Sequence, residues 1–127
     1  MNLFDKLGAD LQHVVLSHVD RYQDVGYHRE LLQSGVKVEY DSAFRWKGEV
    51  NWTYKLLEAL LPDFPDQITM GMDAAKHSYW QSYGGSPGLN FLLTTFKDDL
   101  SRMGLSEYYH NIFFSNPAQL YAFVQKN

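Results

Sequence analysis

His13-Val14-Val15-Leu16-Ser17-His18, a gap of helix length, and then Val36-Lys37-Val38-Glu39-Tyr40-Asp41 form the stretch that decides the fold. The first run is short, apolar and β-branched, which marks a buried strand. Between the runs, Asp24 is placed to cap a helix that carries Leu31 and Leu32 and stops at Gly35. The second run reads as a strand with one wetter face, because Lys37 and Glu39 alternate with apolar residues. Strand, helix and strand in this order predict a parallel pair joined by a right-handed crossover.

The same alternation continues on both sides. A loop over Ser42–Gly48 leads to a helix near 50–61, with Leu56, Leu57, Leu60 and Leu61 on one face and Pro62 and Pro65 ending it. Ile68-Thr69-Met70-Gly71-Met72-Asp73 reads as a third strand, and a loop rich in Tyr, Trp and Gly follows over Ala74–Gly85. Ser86-Pro87-Gly88 reads as an N-cap with proline at the first helical position, opening a helix that runs to Gly104. Ser106-Glu107 starts another helix, and Asn116-Pro117 caps a last short one. Upstream, residues 2–8 read as a helix end with Gly8 just past it. The order β-α-β-α-β-α-α-α predicts an α/β fold whose three parallel strands present their C-terminal ends on one rim.

Composition narrows the function. The 127 residues suit one domain, long enough to bury a core. A hydrophobic share of 45% and a charged share of 20% argue against disorder. A net charge of −4 argues against binding nucleic acid through its phosphates. With no cysteine there is no disulfide frame, thiol nucleophile or cysteine zinc site. The first residues lack the apolar core of a leader, and no apolar run approaches the ~18 residues of a membrane span. A cytoplasmic protein with no membrane partner is therefore expected. Aromatic residues at 16% point to a pocket or interface as well as a core.

The rim collects ionisable side chains. The first strand ends at His18, with Asp20 and Arg21 just beyond. The second ends at Asp41, with Arg45 four residues on, and the third at Asp73, with Lys76 three residues on. Ligands bind at this edge of parallel sheets and barrels. Imidazole and carboxylate suit a divalent metal such as zinc or manganese, although two protein ligands are too few for a tight catalytic site. His13, His28, His77 and His110 lack a partner pattern and read as structural or surface residues.

Several segments occur in a telling order: Val14-Val15-Leu16-Ser17-His18-Val19-Asp20-Arg21, Ile68 to Ala75, Gly84-Gly85-Ser86-Pro87-Gly88 with Phe91 to Phe96, and Asn116-Pro117-Ala118. Together they resemble the C-terminal part of the phosphotriesterase-like family of the amidohydrolase superfamily, nearest its phosphorylated sugar lactonases. The likeness runs from about residue 5 to residue 124. It implies the sixth, seventh and eighth strands of a (β/α)8 TIM barrel that holds two metal ions, usually zinc. His18 resembles a ligand of the more exposed metal. Asp73 resembles a ligand of the other, and the residue that takes the proton of a metal-bridging hydroxide as it attacks an ester. Arg45, Lys76 and Tyr79 fall where phosphorylated sugar lactonases hold phosphate, and two cations and a phenol make a sound phosphate clamp.

The first-strand His-x-His pair, the fourth-strand Lys or Glu and the fifth-strand His of the family are missing. A whole barrel takes ~250 residues, so the chain reads as a fragment with an incomplete metal site. The expected partner is a small ester, lactone or, less readily, phosphotriester. A second copy or a complementing N-terminal half is a further candidate, because the outer strands leave open edges. The alternative is a non-catalytic α/β fragment that binds a small anion or oligomerises through those edges.

Overall fold

The computed structural model describes residues 2–123. Met1 and residues 124–127, including the last position of the expected family likeness, lie outside them. Eight regular elements follow in order: α1 (Asn2–Lys6), β1 (Val15–Ser17), α2 (Val25–Gln33), β2 (Lys37–Tyr40), α3 (Trp52–Leu60), β3 (Ile68–Met70), α4 (Thr95–Arg102) and α5 (Asn116–Leu120). The strands form one parallel sheet in the order β1-β2-β3.

Local chemistry sets the boundaries. The Asp24 carboxylate accepts the Tyr27 N–H at 3.0 Å and caps α2. Gly35 ends that helix in the left-handed region, at φ 95°. Asn51 accepts the Tyr54 N–H and caps α3. The expected first strand is shorter than its apolar run. His13 closes a 3-10 turn over Leu11–His13, held by Asp10 accepting the Gln12 N–H, and pairing begins at Val15.

The register places Leu16, Val38 and Ile68 side by side on one face, with Tyr40 beside Met70. Val38, Tyr40 and Ile68 pack there with Leu32, Leu56, Leu57, Leu60, Phe96 and Ile112. The opposite face carries Lys37 and Glu39, both half-buried, and Tyr121 donates to Glu39 at 2.8 Å. The alternation in the sequence thus separates a core face from a wetter one.

Two expectations need correction. Ser86 and Pro87 do not open a helix. The segment folds back as a loop: Ser86 N–H donates to the Ser78 carbonyl and Gly88 N–H to the Tyr79 carbonyl. Gly85 lies so close to Ser78 that a Cβ would overlap its carbonyl, and a cap before a proline cannot override that contact. The α-helix begins only at Thr95, after a 3-10 turn over Phe91–Leu93. Asn116 does not cap the last helix either. It is fully buried and donates to the carbonyls of Pro65 and Ile68, fastening α5 to the start of β3. Ahead of it the chain passes through a 3-10 turn, Ser106–Tyr108, and a π-helical turn, Asn111–Ser115.

Candidate metal centre

The C-terminal ends of the three strands deliver His18, Asp41 and Asp73 to one place. One potential ligand atom from each lies within 4.8 Å of those of the other two. Asp41 comes from the middle strand, which sets it between the other two. His18 and Asp73 are the non-glycine residues with positive φ among the described residues, at 63° and 44°. Side chains avoid this region unless the surroundings hold them there, and such strain gathers at functional sites.

Asp41 is completely buried. Its Oδ2 lies against His18 Nδ1, and among the described residues no other group reaches that oxygen. Burial pushes the Asp41 carboxyl above the usual carboxylate range. The charge of Asp20 adds to the shift, while His18 and Arg21 oppose it. A half-exposed imidazole backed by this buried carboxylate, with the Asp73 carboxylate beside it, is a donor set that fits a divalent cation.

Two arginines frame the cluster. Arg21 donates to Asp73 Oδ2 at 3.2 Å, and Arg45 reaches the same oxygen at 3.3 Å. Arg45 also donates to the carbonyls of Asp41, Met72 and Asp73, at 2.6, 2.8 and 2.5 Å, so one guanidinium ties the ends of β2 and β3 together. Its plane lies against Phe44 and Tyr79, with centroids 4.7 and 5.6 Å away. Asp20 is a buried anchor behind the rim. It accepts from the Ser42 N–H at 2.8 Å and the Thr53 hydroxyl at 2.6 Å, and Thr53 accepts from Trp46 Nε1.

A cavity of about 320 Å³ opens beside the cluster, lined by Phe44, Arg45, Lys47, Tyr79, Ser86 and Pro87. Arg45 and Tyr79 therefore come together as the sequence suggested. Lys76 is exposed, precedes the turn His77–Tyr79 and does not line this cavity. Lys47 does line it, although nothing in its sequence context marks it. The sequence places Asp41 on the rim without marking it as part of a donor set. The signal was available in its place at the end of the middle strand, flanked by the strands of His18 and Asp73. Among the other histidines, His28 is structural: fully buried, with both ring nitrogens bonded.

Parallel strands joined by helices, with this cluster at their C-terminal ends, define a segment of a TIM barrel. The chain matches the phosphotriesterase family model over residues 1–121. N-acetyltaurine hydrolase of Dictyostelium discoideum is 26% identical over 135 residues, covering 93% of this chain and 35% of that protein. The phosphotriesterase homology protein of Escherichia coli, solved with phosphate in its active site, is 25% identical with a TM-score of 0.85. That match covers 95% of this chain and 42% of that one. A lactonase from Listeria monocytogenes shares the fold at a TM-score of 0.83 and 23% identity, over 98% of this chain and 40% of its own. The chain belongs to the phosphotriesterase family, and it spans about 40% of the length of these solved relatives. Among the described residues no helix is long and apolar enough to cross a membrane.

Proposed function

We propose that this chain is the C-terminal part of a zinc-dependent hydrolase that opens the ester bond of a lactone, with a phosphorylated sugar lactone favoured over a phosphotriester. One observation carries the reading: in a chain of this family, His18 and Asp73 converge at the strand ends beside the buried Asp41. His18 would hold the more exposed of two metal ions and Asp73 the other, and the strands that complete a barrel would supply the remaining ligands. A divalent ion held there would supply Lewis acidity, polarising an ester carbonyl and lowering the pKa of the attacking water. Asp73 accepts that water's proton. Both arginines bond its Oδ2, and among the described residues Oδ1 takes no hydrogen bond, so Oδ1 is the oxygen open to the water. The cavity lined by Arg45, Lys47 and Tyr79 supports an anionic substrate group beside the reacting ester.

The test uses an enzyme completed with the remaining strand–helix units. Asp73→Asn should lower kcat for a lactone at least ~100-fold with the fold intact. Unchanged turnover would remove Asp73 from the reaction. A second reading rests on the sheet order: β1 and β3 each leave one edge unpaired by the sheet. It makes the chain an edge-to-edge self-associating module, and sedimentation showing a monomer at high concentration would eliminate it.

A further inference from the structure

A metal-binding imidazole needs its second nitrogen fixed, because the proton on that nitrogen decides which one faces the ion. Among the described residues His18 has one candidate for this role. Its Nδ1 lies against Asp41 Oδ2, while half of its side chain stays exposed at the rim. The other oxygen of Asp41 is engaged behind the site: Oδ1 accepts the Ser42 hydroxyl at 3.3 Å and lies 3.7 Å from Arg45 Nη1 and 3.9 Å from Arg21 Nη2. Asp41 is held by its surroundings. It is fully buried, and its own carbonyl accepts from Arg45 at 2.6 Å. The carboxylate is thus held with one free oxygen aimed at one imidazole nitrogen.

We infer that Asp41 is a positioning residue that keeps the His18 proton on Nδ1 and leaves Nε2 to the metal, rather than being a metal ligand itself. This rests on the proposed function for the identity of the ion, but the orientation of His18 does not need the ion to be present. The left-handed backbone of His18 fits this arrangement, since it turns the imidazole back toward the end of the neighbouring strand. Alone in water, a histidine carries no such fixed tautomer.

Long-range 1H–15N correlation spectra of the 127-residue chain at pH 8 read the tautomer directly. Unmodified chain should show His18 protonated on Nδ1, with the Nε2 resonance moving as Zn2+ is added. Asp41→Ala should release the tautomer and weaken Zn2+ binding 10- to 100-fold. Asp41→Asn, which keeps the shape and a weaker acceptor, should hold Nδ1–H and bind Zn2+ with intermediate affinity; it serves if the alanine variant does not fold. His18 protonated on Nε2, or Zn2+ moving the Nδ1 resonance, would overturn the inference. So would an unchanged tautomer in a folded Asp41→Ala chain. An Nδ1–H tautomer lost in Asp41→Ala, with no Zn2+ taken up even by the enzyme completed with the remaining strand–helix units, would uphold the inference and remove the metal-dependent function.

Discussion

Two histidines separate the core of this molecule from its rim. His28 sits in α2, fully buried, and both nitrogens are used: Nε2 donates to the Tyr22 carbonyl and Nδ1 accepts from the Tyr40 hydroxyl, each at 2.9 Å. His18 sits at the end of β1 in strained backbone, with only Nδ1 engaged. His28 has a partner for each ring nitrogen, whereas the rim keeps the orphaned Asp41 Oδ2 and an open imidazole face on His18. A closed network stabilises a fold, and an open one is available to a ligand.

Substitutions on the two sides should separate sharply. The largest effect belongs to the core: Phe96→Ala empties a fully buried site among Tyr54, Phe91 and Phe113 and should cost about 3–5 kcal/mol by urea unfolding. Asp73→Asn at the half-exposed rim should cost within ~1 kcal/mol in the same assay. Equal costs at the two sites would break the comparison.

The next effect tests the closed network. Tyr40→Phe strands His28 Nδ1 without a donor and should cost about 1–3 kcal/mol. Acid probes the same pair. Burial lowers the His28 pKa, against the pull of the Tyr22 carbonyl and of Asp20 and Asp24. Between the folded and unfolded pKa values the unfolded chain binds more protons. The stability from neutral His28 is therefore whole above about pH 6.5 and falls as the pH drops below it. A His28→Gln chain should lose less stability than the parent between pH 7 and pH 5; parallel curves would show that His28 is not held neutral. The smallest effect lies on the surface. Arg102→Ala breaks an exposed pair with Asp99 and should shift stability within ~0.5 kcal/mol.

Much of this was legible in the residues. β-branched runs, alternating charge and the Asp24 and Gly35 signals carry local information, so the parallel sheet and its crossover helices followed from them. Ser86-Pro87 misled because a long-range contact, Gly85 packed on Ser78, outweighs a local capping pattern. Asn116 misled for the same reason, its amide being spent on carbonyls at the start of β3. At the rim, the sequence pointed to His18 and Asp73 through strand ends and family likeness. It did not show that Arg45 ties two strand ends together, that Lys47 lines the adjacent cavity, or that Asp41 faces His18. Those depend on loop paths, which carry no periodicity to read.

Zinc binding by the enzyme completed with the remaining strand–helix units, measured by competition with a chromophoric chelator, tests the central claim most directly. The account predicts two ions per enzyme, with affinity lost at one site in His18→Ala and at the other in Asp73→Ala while both variants unfold at nearly the parent temperature. Zinc that fails to bind, or binds equally well to both variants, would contradict the assignment of this rim as a metal centre.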